Sequence, residues 1–448
     1  MAYHARRSTH HAGIRRGACC VTGLLLAVCG LAAADTLELS LDQALRLALK
    51  TSPAAAQAGV SRTQGSSTLA RGITTLIPTV SGEISYANTR MQAGLLPETL
   101  SAGWAWNGSL TLSQVVFDPG VVAALVSAAN SYGYYRTDAQ DKTARLIYDV
   151  TSAYLGLLKA ELLSEAAGAA LARARENAKA VKEKERLGSA SSIDLLRSLA
   201  LESQAELARF QAESGVRVAG EQLKATLGLG QELAVRPADS LLEPKESDFA
   251  GPESLLAEIR RQNPGLRLAK KSEAVARINC AAAIGKALPS VSAYWSTSYY
   301  DSLFPRSFGH WTDNDQVSYG LRLSFPLLDL KSYVLGIVDA SNERRRARAA
   351  SRAAALTLNA TATGAVAGLQ EARRNFDYAR RNLKLYSELH DLAREQHRLG
   401  AISFLDLISV EADLAQSQAT YVAALAETYI QVAQIDYLLG QAGLPGKE

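Results

Sequence analysis

Two hydrophobic periods alternate along the chain. Val80, Gly82, Ile84 and Tyr86 alternate with Ser81, Glu83 and Ser85, and Trp104, Trp106, Gly108, Leu110 and Leu112 alternate with Asn107, Ser109, Thr111 and Ser113. Period two predicts strands with one apolar and one polar face. The pattern returns at Val291, Ala293, Trp295, Thr297 and Tyr299, and again at Val317, Tyr319, Leu321, Leu323 and Phe325, with Ser292, Ser296, Ser298, Arg322 and Ser324 opposite. Four strands are therefore expected. Beside them lie two segments, 120–186 and 332–398, each of 67 residues without a proline. At 1.5 Å per residue each predicts a helix of about 100 Å, longer than a globular core needs. Shorter helices over 54–77 and 192–227 would together span about 90 Å, so stacked end to end they would match one long helix. On the last helix Leu405, Ile408, Ala412, Ala415, Ala419, Val422, Ala426, Tyr429 and Ala433 follow the three-four spacing of a coiled-coil seam, which implies helical partners on that face.

The chain also repeats itself. Pro53 and Pro264 each close an amphipathic stretch, and Pro78 and Pro289 follow at the same offset of 211. The offset becomes 212 at Arg186-Leu187-Gly188 and Arg398-Leu399-Gly400, and holds at Asp194 and Asp406 and at Leu227-Gly228 and Leu439-Gly440. A constant offset over so many landmarks marks two copies of one unit. The predicted organisation is a leader over 1–34, a first repeat over 35–228, a Pro- and Glu-containing linker over 229–252, a second repeat over 253–440 and a tail over 441–448.

Composition changes the picture at the N-terminus. The formal charge is +4, but Arg6, Arg7, Arg15 and Arg16 stand in a leader without acids, so the remainder carries 44 basic and 44 acidic residues. That balance gives no surplus for phosphate contacts and excludes a nucleic-acid partner. The basic stretch, the apolar run near Val21 and the Ala32-Ala33-Ala34 site before Asp35 predict a secretory signal peptide; lipidation at Cys29 is the rival reading. Cys280 is the one cysteine beyond the leader, so no intramolecular disulfide is expected. Past Asp35 no apolar run reaches the length of a spanning helix. Apolar-out alternation with aromatics near the strand ends instead predicts membrane barrel strands, the alternative being a soluble sheet with one wet face. Four strands cannot close a barrel, for which about eight is the practical minimum, so an oligomer is required.

Long helix, Arg-Leu-Gly turn, Ser-x-x-Asp-Leu-Leu or Ser-x-x-Asp-Leu-Ile, helix and Leu-Gly, present twice around paired strands, resemble the TolC-like outer-membrane efflux channels over nearly the whole chain past the leader. The resemblance implies an α+β membrane protein whose tandem-repeat protomer gives four strands to a trimeric transmembrane β-barrel. Its long antiparallel coiled-coil helices would form a periplasmic tunnel. It further implies a homotrimer in the outer membrane, in contact with outer-membrane lipid, serving as passive exit duct for an inner-membrane transporter and a periplasmic adaptor protein. The rival from another class is a non-conducting coiled-coil envelope tether or adhesin. In the duct reading the loops 88–103 and 301–315 face outside the cell.

Leu187, Gly188, Leu399 and Gly400 would be the hairpin tips, where the resemblance places adaptor docking, and glycine there allows a positive-φ turn. Ser191 with Asp194 and Ser403 with Asp406 read as capping boxes opening the returning helices. By resemblance Asp406 also matches an aspartate that narrows the periplasmic entrance, where three carboxylates would repel one another and favour a bound cation. Asp194 and His397 complete this candidate gate. Ile402 and Ser409 replace an arginine and a second aspartate of the best-known gate pattern, and His397 stands at a tyrosine position. Of the histidines outside the leader, His310, His390 and His397, the pair His390 and His397 is read as exposed rather than as metal ligands. No nucleophile triad or phosphate loop appears, so neither an enzyme nor a cofactor is expected. The run Arg344-Arg345-Arg346-Ala347-Arg348 reads as a solvated helix face, the alternative being a lipid-headgroup contact.

Overall fold

A computed structural model describes residues 36–89, 103–230, 233–239, 251–301, 304, 315–325 and 330–441. The leader with Cys29, most of the loops 88–103 and 301–315 including His310, much of the linker and most of the tail lie outside the described residues.

The elements follow the two periods. In order they are β1 (Thr36–Leu39), α1 (Leu41–Thr51), α2 (Pro53–Thr74), β2 (Thr79–Thr89), β3 (Gly103–Phe117), α3 (Pro119–Arg186), α4 (Ser192–Leu227) and β4 (Ala234–Pro237). The second repeat supplies α5 (Pro252–Gln262), α6 (Pro264–Gly285), β5 (Ser290–Asp301), β6 (Asp315–Ser324), α7 (Leu330–Arg398) and α8 (Phe404–Leu439). The long helices α3 and α7 have 68 and 69 residues, and α4 and α8 have 36 each.

Four strands form an antiparallel sheet in the order β2-β3-β5-β6. Its register carries the alternation across every strand: Val80 faces Leu112, Leu112 faces Trp295 and Trp295 faces Tyr319. The neighbouring row, Ser81, Thr111, Ser296 and Ser318, is polar throughout, and the Ser296 and Ser318 hydroxyls meet at 2.8 Å. Because side chains alternate faces, this register gathers most apolar residues of the four strands on one side, with Val115, Tyr294 and Tyr300 on the other. That side is open in the protomer, with Tyr319 80% exposed and Val80, Leu321 and Leu323 exposed beside it. Tyr299 is the exception, buried at its place on β5. Near the far end Tyr86 stacks on Trp104 at 5.1 Å and leans on Trp106 at 4.7 Å, while Phe304 meets Trp106 edge-on. Strands β2 and β6 each have a neighbour on one side only.

The helices stack as their lengths require. Thr51 Oγ1 donates to the Leu227 carbonyl at 2.6 Å, and in the other repeat Asn263 Nδ2 donates to the Leu438 carbonyl at 3.0 Å. The end of α4 thus abuts the start of α2, and the end of α8 abuts the start of α6. Gly228 and Gly440 have φ of 73° and 67° there, and a Cβ on Gly228 would lie 2.7 Å from the Thr51 carbonyl oxygen. Helix α3 packs along α2 and α4 on one flank and α6 and α8 on the other, and α6 and α8 pack in turn on α7. Two equivalent cores anchor this row. One joins Leu45, Val150, Tyr154, Leu223 and Leu227; the other joins Ile259, Ala362, Leu369, Ile435 and Leu439. Among the described residues no helix is long and apolar enough to cross a membrane.

Two features differ from the sequence reading. The linker contains β4, which pairs in parallel with β1 and places Val235 beside Leu37. On α8 the residues buried within the protomer include Leu407, Leu414, Ser417, Leu425, Thr428 and Ile435, most of them off the predicted seam; of that seam Ala426 is buried, while Leu405 and Ala412 are exposed. The reason is that α8 has two apolar faces, one turned to α7 and one to α3 and α4.

Candidate functional site at the helical hairpin ends

The two hairpin ends are built alike from local rules. At the end of α3, Gly188 N–H donates to the Glu185 carbonyl at 2.9 Å and Ser189 N–H to the Lys184 carbonyl at 2.8 Å; at the end of α7, Gly400 and Ala401 make the same bonds to His397 and Gln396 at 3.0 and 2.8 Å. These are Schellman closures, and both glycines sit at φ 75°. Leu187 and Leu399 precede them, 72% and 67% exposed. Ile193 and Leu405, one helical step into the returning helices, are exposed too, so each end presents an apolar tip.

The returning helices open on reciprocal caps. Asp194 N–H donates to Ser191 Oγ at 3.1 Å and Ser191 N–H to Asp194 Oδ2 at 3.3 Å; Asp406 and Ser403 repeat the arrangement at 3.2 Å in each direction. In both, the serine hydroxyl also donates to the carboxylate at 2.7 Å. That bond from Ser191 holds the Asp194 carboxyl below the usual aspartate range. His397 Nδ1 approaches the Ile402 carbonyl at 3.4 Å and its ring lies 6.0 Å from that of Phe404. Among the described contacts each of Asp194, Asp406 and His397 is engaged within its own hairpin end. None joins one end to the other. Beside the second tip Arg398 donates to Glu395 at 2.9 Å and keeps that carboxyl below its ordinary value.

Above the tips a polar link joins the two hairpins. Asn177 on α3 donates to Glu411 Oε2 on α8 at 2.8 Å, and His390 Nε2 on α7 stands 3.9 Å from Glu411 Oε1. His390 is half-buried beside carboxylates, Glu411 and Asp391, rather than paired with His397. Sequence reasoning passed over Glu411; the available signal was a carboxylate lying between seam positions Ile408 and Ala412. The open part of the seam, with Ile408, Ala412, Ala415 and Ala419, lines a cleft of about 440 Å³ against α3 and α4. Among the described residues no group of three or more His, Cys, Asp or Glu could hold a metal, and Cys280 is buried with a free thiol.

Comparison with known proteins gives a consistent likeness. Residues 255–441, the second repeat, match the family model described as outer membrane efflux protein. No curated protein sequence matches the chain. Among solved structures, the CmeC outer membrane channel of Campylobacter jejuni superposes with a TM-score of 0.78 at 15% identity, covering 90% of this chain and 86% of that one. The outer membrane protein VceC of Vibrio cholerae gives 0.74 at 16%, covering 89% and 96%. The open state of the MtrE outer membrane channel of Neisseria gonorrhoeae gives 0.73 at 16%, covering 92% and 93%. At such identity the structures speak for the fold, which extends over both repeats.

Proposed function

We propose that this chain, whose second repeat matches the outer membrane efflux protein family and whose fold over both repeats is that of outer-membrane channels, is a TolC-like homotrimeric exit duct spanning the outer membrane and reaching through the periplasm. One observation carries the reading: the protomer ends in open edges at both levels. The sheet has free edges at β2 and β6 and an exposed apolar face. The helical row is likewise unpartnered on the outer flanks of α4 and α7, where Phe210, Leu207, Tyr378 and Leu385 are exposed. Pairing β6 of one copy with β2 of the next, and α7 with the next α2 and α4, satisfies both levels with a single operation. Repeated three times it gives twelve strands, a number that closes a barrel, and turns the apolar face to lipid. Ring closure then leaves no edge.

In this trimer the capped hairpins form the periplasmic end. The exposed Leu187, Leu399, Ile193 and Leu405 offer apolar tips to a helical adaptor protein, which in turn couples to an inner-membrane transporter. Asp406, Asp194 and His397 are proposed to line the entrance. The caps consume hydrogen bonds of the carboxylates, not their charge, so three Asp406 groups brought together would form an anionic ring. Substrates pass by diffusion, selected upstream.

Two measurements test the proposal. Sedimentation in detergent should give three chains per particle, and the purified protein should conduct in planar bilayers. A monomer in detergent refutes the assembly; a trimer without conductance refutes the duct and leaves the envelope tether.

A further inference from the structure

We propose that Arg62, Arg261 and Arg267 form a binding site for a multivalent oxyanion, a compound carrying several phosphate or carboxylate groups. The three arginines, all exposed, come from α2, α5 and α6 and line one open pocket of about 510 Å³, together with Gln140 and Thr143 of α3 and the Leu439-Gly440 end of α8. No carboxylate belongs to that lining. The volume falls within the range of about 300–1,000 Å³ usual for small-ligand sites and exceeds what one oxyanion fills.

Some exposed arginines on the helices hold an acid three or four residues away, as Arg186 does Glu183 at 3.0 Å, Arg209 Glu213 at 2.8 Å and Arg346 Glu343 at 2.8 Å, while others such as Arg71 and Arg344 have none at that spacing. Among the described residues no carboxylate lies within ion-pair reach of Arg62, Arg261 or Arg267. Arg62 and Arg267 have no acid at helical spacing, and Lys270 and Lys271 follow Arg267 instead. Glu258 stands three residues before Arg261, but its carboxylate accepts from Gln262 Nε2 at 2.9 Å. Three planar forks of donors lining one pocket that holds no carboxylate match a ligand that brings several negative oxygens.

The position narrows the source. Gln140 lies 21 residues along α3 from its start at Pro119, about 30 Å below the sheet. If the sheet is the membrane wall, lipid phosphates are out of reach. The anion is then either a soluble periplasmic compound or a group on the cell-wall polymer.

The full-length channel in detergent, titrated calorimetrically with pyrophosphate and with citrate at fixed ionic strength, should bind one anion per protomer with a saturable isotherm. The triple variant Arg62→Gln, Arg261→Gln, Arg267→Gln should lose at least tenfold in affinity, and Arg267→Gln alone a smaller part. Unchanged sedimentation and helix content of the variants show that folding is not the cause. A control pair on the exposed basic run, Arg344→Gln and Arg345→Gln, should leave binding intact. Retention on purified cell-wall sacculi, released by pyrophosphate, assigns the oxyanions to the polymer; saturable binding without retention assigns them to solution. A response that never saturates, or equal weakening in the control pair, overturns the site.

Discussion

Replacing Tyr154 by Phe removes one oxygen from the place where the collar of short strands meets the long helix α3. Tyr154 is 1% exposed, and its hydroxyl lies 2.8 Å from Asp239 Oδ2 and 3.0 Å from the Leu39 carbonyl. A phenol has one proton. The Leu39 carbonyl already accepts from Ala238 N–H at 2.9 Å, so the shorter, charge-assisted bond to Asp239 takes it. The same hydroxyl accepts from Asp239 N–H at 3.3 Å, and Asp239 in turn accepts from Leu41 N–H at 2.7 Å. Tyr154 therefore clasps β1, α1 and the segment after β4 to α3. A bond to a charged group contributes about 1.5–3 kcal/mol, and Asp239 keeps its bond from Leu41, so the expected loss is about 2 kcal/mol. At 1.36 kcal/mol per decade this is about a 30-fold rise in local opening. Hydrogen exchange of peptides covering 36–41 and 233–239 should accelerate by that factor, while peptides at the hairpin ends should not change. Exchange within threefold of wild type, or acceleration spread evenly over the chain, refutes the clasp. Burial pushes the Tyr154 hydroxyl above the usual phenol range, so the folded state prefers the proton. This stability is complete below about pH 10, where the unfolded tyrosine titrates, and is lost as pH rises beyond it. The variant should lack that alkaline limb.

Other outcomes follow from the same geometry. Asp406→Asn keeps an acceptor for the cap but removes charge, so channels of the variant should lose block by divalent cations added from the periplasmic side and keep trimer stability, with a smaller effect for Asp194→Asn; equal block in wild type and variant leaves Asp406 with capping alone. Gly228→Ala adds left-handed strain of about 1–2 kcal/mol and a contact at 2.7 Å with the Thr51 carbonyl, whereas Gly188→Ala meets nothing within 4 Å and adds strain alone. Thermal scans should therefore show the larger loss for Gly228→Ala, and equal losses would contradict the stacking of α4 on α2. Leu321→Arg places a charge on the exposed apolar face of the sheet, at an expected cost of about 2–4 kcal/mol near mid-membrane. Fractionation should show less trimer in the outer membrane, and undiminished insertion would mean that this face does not meet lipid.

The sequence by itself determined whatever is short-ranged. Strand faces follow from a period of two, and the four-strand register in which Val80, Leu112, Trp295 and Tyr319 line up preserves that period up to the bulge between Val115 and Phe117. The length of α3 and α7 follows from the absence of proline, and their ends follow from Gly188, Gly400, Ser191 and Ser403, because turns and caps are made by neighbours in sequence. Tertiary structure alone decided the rest. Strands β1 and β4 have four residues each and pair across nearly two hundred positions, too short for any period to announce them. The face that α8 turns to α7 differs from the predicted seam because periodicity states that a face is apolar, not which neighbour covers it. Glu411 finds Asn177 and His390 from different helices, and Arg62 of the first repeat lines one pocket with Arg261 and Arg267 of the second. Such contacts depend on how helices about 100 Å long lie beside one another, which no local window of sequence contains.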